Sequence, residues 1–209
     1  MNTGSVAQRL ADTPGVARTI LDAARAARGM PGADPRAMSH SWLFTGPPGS
    51  GRSLAAIDFA AALMCTDPEE PGCGRCEACR AVLETKQHTD LVLVDPQEVI
   101  IPVDTVREVI GRAASLPTVA PWRVVIFNNA DRLNNNGANA LLKTVEEPPA
   151  RTVIIMCAPS DAPEDFSQTL RSRCRHLYIP SPSVESITAQ LVSEGASDHD
   201  AHLAALTSL

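Results

Sequence analysis

Trp42-Leu43-Phe44-Thr45, running into Gly46-Pro47-Pro48-Gly49-Ser50-Gly51-Arg52-Ser53, decides the fold. A short apolar run closed by Gly and Pro reads as a buried strand entering a turn, and Gly51 to Met64 beyond it reads as a helix. The turn itself, GPPGSGRS, follows the phosphate-loop pattern G-x-x-x-x-G-K-[ST] with Arg52 in place of lysine. Between a strand and a helix, such a turn aims backbone N–H groups and the helix N-terminus at a polyphosphate. Gly46, Gly49, Gly51, Arg52 and Ser53 are therefore the candidate nucleotide-binding residues, for ATP or ADP. Arg52 keeps the positive charge but replaces a compact ammonium with a planar fork, so the usual reach between the outer phosphates is not guaranteed. The competing reading is a glycine turn inherited from a nucleotide-binding ancestor and now empty.

Outward from this stretch, further strands are expected at Leu91 to Val94, Arg123 to Phe127, Thr152 to Cys157 and His176 to Ile179. Helical stretches lie between them. Thr13 to Arg28 keeps Val16, Ile20, Leu21 and Ala24 on one face, Asp104 to Ser115 has Val106, Val109 and Ile110, and Gly137 to Glu146 has Ala140, Leu141 and Val145. Pro148-Pro149 ends the last of these. Strands alternating with helices argue for an α/β fold with a parallel sheet covered on both faces. Ser183 to Glu194 reads as one more helix beyond Pro180 and Pro182.

An ATPase of this design needs an Asp to hold magnesium, and commonly a Glu to activate water, at the end of a neighbouring strand. Val124-Val125-Ile126-Phe127 is the best candidate strand, but Asn128-Asn129 follows it. Neither asparagine carries charge or acts as a general base, and Asp131 is expected in the following loop, pointing away from the phosphates. The pocket reads as that of a degenerate ATPase.

Composition narrows the function further. The 209 residues suit one domain, or one domain and a fragment of a second, and 44% hydrophobic with 20% charged residues is globular. Eighteen Lys and Arg against 24 Asp and Glu give a net charge of -6, so the overall balance does not attract nucleic acid. Four Phe, two Trp and one Tyr are too few for a base-stacking platform. No apolar run approaches the roughly 18 residues of a membrane span, and the start lacks the apolar core of a signal peptide, so a reducing cytoplasm is the expected location.

In that compartment cysteines serve more readily as ligands than as bridges. Cys65, Cys73, Cys76 and Cys79 form C-x7-C-x2-C-x2-C, and four thiolates from a short loop close a tetrahedron around a structural zinc. An iron–sulfur cluster uses the same ligands and is not excluded by spacing, whereas two disulfides are disfavoured by compartment. Cys157, in a strand, reads as a small buried side chain.

The phosphate loop, the four-cysteine insertion straight after its helix, the run Ala138-Asn139-Ala140-Leu141-Leu142-Lys143-Thr144-Val145-Glu146-Glu147-Pro148-Pro149, and Ser172-Arg173-Cys174, in that order, resemble the bacterial clamp-loader subunits of DNA polymerase III. Within that family, the missing carboxylates at Asn128-Asn129 resemble the non-hydrolysing delta-prime type more than the gamma or tau ATPase. The resemblance implies an AAA+ module over residues 1–180, with a five-stranded parallel sheet and a zinc module inserted at about 65–79. A helical lid would begin over 181–209, and the collar domain of the family is not represented. The resemblance also implies that Arg173 reaches an ATP held by a neighbouring subunit, where an arginine supplied in trans contributes on the order of 10³ to 10⁵ in rate. The bland reading of Arg171, Arg173 and Arg175 is a solvated basic strip. Implied partners are the gamma/tau ATPase subunits and the delta subunit, with the sliding clamp and primed DNA met through the complex and no membrane. Two alternatives stand beside this: an active gamma/tau-like ATPase, and a zinc-stabilised nucleotide-binding module outside replication.

Overall fold

The computed structural model describes residues 4–96, 98–193 and 195–207. Its centre is a five-stranded sheet of β1 (Ser41–Thr45), β2 (Leu91–Val94), β3 (Arg123–Phe127), β4 (Thr152–Ala158) and β5 (Arg175–Tyr178), in the spatial order β2-β3-β4-β1-β5. Every neighbouring pair is parallel, so the expected parallel sheet is observed. The register sets Thr45 opposite Ala158 and Tyr178, and Phe127 opposite Met156. All the strands consequently end at one edge of the sheet and begin at the other.

Side-chain alternation distributes the core. Trp42 and Phe44 join the cluster built with α2 (Pro14–Ala27) and α3 (Arg52–Met64), whereas Leu43 joins the opposite one with α5 (Val103–Ala113) and α6 (Asn135–Glu146). Phe59 of α3 packs edge-on to Trp42 at 5.1 Å between centroids and stacks on Phe44 at 6.1 Å. Alanines at 55, 56, 60, 61 and 62 let this helix lie buried against the sheet over most of its surface. The alternation therefore covers the sheet on both faces, as the strand–helix order implies.

Short helices complete the chain: α1 (Val6–Arg9), α4 (Glu77–Arg80), α7 (Gln168–Arg171), and the pair α8 (Val184–Ser193) and α9 (Asp198–Thr207), which pack on each other. Helix α1 has a capping box, with the Ser5 and Gln8 side chains satisfying each other's backbone N–H groups, and Arg9 reaches the buried Asp58 of α3 at 2.5 Å. The expected helix at Gly137 begins two residues earlier, where Asn134 accepts the Gly137 N–H at 2.9 Å and caps α6.

A buried ion pair ties one edge of the sheet to its covering helix. Asp90, fully buried before β2, accepts N–H groups from Thr118 (2.7 Å), Val119 (2.7 Å) and Ala120 (2.9 Å), and Arg123 at 3.0 Å. Arg123 in turn donates to the carbonyls of Arg112 and Ser115 at the end of α5. Burial works against the charged Asp90, but these donors outweigh it and hold its carboxyl down at about 2. Because the folded value lies below the ordinary 3.8, the contribution is fully present above about pH 4 and is lost as pH falls through about 2. Asp90→Ala leaves the Arg123 Nη2 and three amides without their acceptor and the guanidinium without its counter-charge, so urea unfolding at pH 7 is expected to show a loss of about 3–5 kcal/mol. A loss within the scatter of surface substitutions would mean that the clasp is redundant.

Candidate functional site

The phosphate loop leaves β1 and enters α3 at the carboxyl edge of the sheet, and its shape depends on glycine. A Cβ on Gly46 would lie 2.3 Å from the Ile179 carbonyl oxygen and 2.5 Å from Ser50 Oγ, so no larger residue fits there. Gly49 and Gly51 take left-handed backbone with φ of 83° and 80°. The helix then starts at Arg52, with the N–H groups of its first turn directed back toward the loop. Arg52 bends back: its Nη1 donates to the carbonyls of Gly46 (2.8 Å) and Pro47 (3.0 Å). Ser50 Oγ, Arg52 Nε and Asn128 Oδ1 are buried polar atoms without a partner among the described residues, and two of these residues belong to the loop. A cradle with unspent donors and acceptors fits a polyphosphate. The buried Asn128 and the left-handed Asn129 follow β3, at the position where an ATPase of this design carries its magnesium-holding carboxylate. Asp131 falls in a single 3-10 turn, Ala130–Arg132, and is exposed, in the loop position expected for it.

The four cysteines do converge. The sulfurs of Cys65, Cys73, Cys76 and Cys79 all lie within 4.8 Å of one another, and Cys65 and Cys76 are 3.9 Å apart. A metal ion with four Zn–S-like bonds of about 2.3 Å sets its sulfurs roughly 3.8 Å apart, so little adjustment is needed. The Cys76 N–H points at Cys73 Sγ and the Cys79 N–H at Cys76 Sγ, each at 3.4 Å; such contacts favour thiolate, and Cys76 is lowered, but at Cys73 burial outweighs them and pushes the thiol up. Within the cluster the Cys79 thiol hydrogen bond pulls Cys65 down to about 4 and pushes Cys79 up. Such crowding of sulfur charge is relieved by a bound cation. Gly74, with φ of 71°, has Gly4 oxygen 2.0 Å from the position of a Cβ, while the Val6 N–H donates to the Gly72 carbonyl at 2.8 Å. The segment before α2 is thus packed onto the cysteine loop. Cys157 lies apart and fully buried, its thiol pushed up to about 12 by burial, as a core side chain.

Arg173 sits between α7 and β5, at the sheet edge where strands begin, opposite to the edge that carries the phosphate loop. Strands of five residues separate the two edges by about 15 Å. Its Nε donates to Glu146 Oε1 at 2.5 Å and its Nη1 to Thr169 oxygen at 2.8 Å and Ser172 Oγ at 3.1 Å, with the side chain still 36% exposed. The neighbouring arginines are not a uniform solvated strip. Arg171 pairs with Asp161 at 2.6 Å, and the Arg171 hydrogen bond holds that carboxyl below its usual range. Arg175 lies over the Trp42 ring at 4.9 Å and donates to the carbonyls of Arg36 and Ala37. Two groups escaped the sequence reading. Glu146 closes on Arg173 across 27 positions, and His176 Nε2 meets Thr45 Oγ1 at 2.6 Å just before the loop. The Glu146 signal was present in the Glu-Glu-Pro-Pro run, but nothing in spacing tells which carboxylate turns toward an arginine.

A parallel sheet in this order, with a phosphate loop after the strand second from one edge, defines an AAA+-like fold. Solved structures agree on the fold: a gamma-subunit-related protein of DNA polymerase III from Thermotoga maritima superposes with a TM-score of 0.51 at 21% identity, over 74% of this chain and 47% of its own. The Thermotoga maritima RuvB branch-migration motor gives 0.52 at 16%, over 92% and 55%. A family model described as DNA polymerase III, delta subunit, matches residues 33–183, and the chain belongs to that family. Among its relatives, the DNA polymerase III subunit delta' of Pseudomonas aeruginosa is 35% identical over 76% of this chain and 49% of its own length. The Escherichia coli subunit delta' is 34% identical over 80% and 50%, and the Mycobacterium tuberculosis gamma/tau subunit 33% over 77% and 28%. The chain spans about half the length of the delta' relatives it matches.

Purified protein is expected to hold one metal ion per chain by atomic emission, and Cys76→Ser, which removes one of the four sulfurs, to weaken retention by at least tenfold against a chelator competitor. Full retention by the serine variant would show that the cluster is not the binding site.

Proposed function

We propose that this protein acts as a delta-prime-like clamp-loader subunit that does not hydrolyse ATP itself and supplies Arg173 to a site on a neighbouring ATPase subunit. The observation that carries the reading is the division of labour across the sheet. One edge has a phosphate cradle with Arg52 folded onto its own carbonyls and Asn128 in place of a carboxylate; the other has an accessible arginine. An arginine on the far edge cannot serve its own loop, which favours action in trans. Similarity to both delta' and gamma/tau relatives supports the clamp-loader setting, and the asparagines favour the delta-prime side.

On this reading the gamma/tau and delta subunits are the protein partners, and the sliding clamp and primed DNA are met through the assembled complex in the cytoplasm. Residues 1–180 form the AAA+ module and 181–209, which include α8 and α9, begin the lid. The metal of the four cysteines is zinc in a closed structural role, since four sulfurs leave no position for a substrate. When ATP or ADP occupies the loop, Gly46, Gly49, Gly51, Arg52 and Ser53 hold its phosphates. Nucleotide there serves binding and geometry only, because no group on β3 accepts a proton from water.

Two measurements separate this reading from the active gamma/tau-like alternative. The isolated protein with ATP and magnesium is expected to turn over at background; hydrolysis above background, abolished by Arg52→Ala, transfers the protein to the ATPase class. In the complex reconstituted with the ATPase subunits, Arg173→Ala is expected to depress clamp-stimulated hydrolysis, with the loss at the one neighbouring site on the order of 10³. Unchanged hydrolysis in that variant would remove the role of Arg173.

A further inference from the structure

We infer that Glu146 is the positioning residue for Arg173: it holds the guanidinium by its Nε edge so that the Nη2 tip faces outward for an anionic group on a neighbouring subunit. The inference rests on the proposed role of Arg173 in trans and adds a second residue to that site. Three contacts fix the guanidinium plane. Glu146 Oε1 accepts from Nε at 2.5 Å, and Thr169 oxygen and Ser172 Oγ accept from Nη1 at 2.8 and 3.1 Å. These partners occupy the near edge and one side of the fork, and among the described residues none takes Nη2. Nη2 is therefore the part of the planar group left for an outside acceptor, and a guanidinium fork matches phosphate oxygens.

The acceptor is itself rigidly mounted. Glu146 ends α6, and the preceding Val145 carbonyl receives the hydroxyl of Ser41, the first residue of β1, at 3.1 Å within the core. The last turn of α6 is thus fixed to the strand that leads to the phosphate loop. Arginine loses considerable rotamer freedom when it docks, and a side chain already held in one orientation loses less at the moment it meets the phosphoryl group. Glu147, one position on, accepts from no described side chain and is exposed, so adjacent carboxylates with equal charge differ in this one contact. Glu146 and Arg173 are 46% and 36% exposed, so the ion pair adds little to folding and is available for a role in assembly.

The test uses the reconstituted complex and reads clamp-stimulated ATP hydrolysis over a range of ATP concentrations. Glu146→Ala is expected to lower kcat for the site served by Arg173 about tenfold with KM for ATP unchanged, because the contact matters in the transition state and not in ground-state binding. Glu146→Gln, which keeps an acceptor, should recover most of that loss, and Glu147→Ala should behave as wild type. In an Arg173→Ala background, Glu146→Ala should change nothing further. Wild-type or raised kcat in Glu146→Ala overturns the inference, as does a further loss in the Arg173→Ala background, which would mark a structural role. If Arg173→Ala alone leaves hydrolysis unchanged, the trans role fails first and the positioning role falls with it. Retention of the effect of Arg173→Ala without any effect of Glu146→Ala removes only the positioning role.

Discussion

The direction of the strands is the constraint from which the rest follows. Five parallel strands deliver every loop that follows a strand to one edge and every loop that precedes one to the other. The turn after β1 and the asparagines after β3 therefore share the edge where a phosphate would lie. Arg173 and the end of α6, both just before strands, share the opposite edge. A chain built this way presents two unlike faces, and on the proposed reading one receives an anion while the other reaches for it. Such faces suit a ring in which each subunit touches the next head to tail. The internal hydrogen bonds serve this separation: Asp90 and Arg123 fasten α5 to the start of the sheet, and Ser41 fastens α6 to β1.

Most of the fold was legible because its signals are local. Apolar runs such as Val124 to Phe127 are buried on both faces and leave an uninterrupted apolar pattern, and the turn glycines around residues 46–51 are required by backbone geometry. The four cysteines were equally plain, since ligand type and close spacing carry their meaning without tertiary detail. The element ends were less so. Helix α6 extends upstream because Asn134 caps it, whereas the sequence reading began at the first glycine of the apolar pattern. Helix α1 covers four residues, too few for periodicity to register, although Ser5 and Gln8 stand at capping-box spacing.

Contacts across the fold were the illegible part. Arg52 was visible as a change of charge carrier, but its turn onto Gly46 and Pro47 depends on where the loop carbonyls point. The three arginines around Ser172 look alike in sequence, yet one binds Asp161, one grips Glu146 and one covers Trp42. Their different fates are set by partners 10 to 139 positions away, none of which leaves a periodic trace. His176 is a further case, since its contact with Thr45 exists only because β5 lies beside β1.

The packing of residues 4–6 onto the cysteine loop has one more consequence. Gly74 leaves no space between its own backbone and Gly4, and Val6 is hydrogen bonded to Gly72. If the four sulfurs hold an ion, order in residues 4–6 and occupancy of the site would thus be two readouts of one equilibrium: whatever emptied the site would also loosen this segment. Through Arg9 and Asp58 the same coupling reaches α3, the helix whose first turn faces the phosphate loop. An ion bound by the four sulfurs would therefore contribute to the stiffness of the helix that follows the phosphate loop.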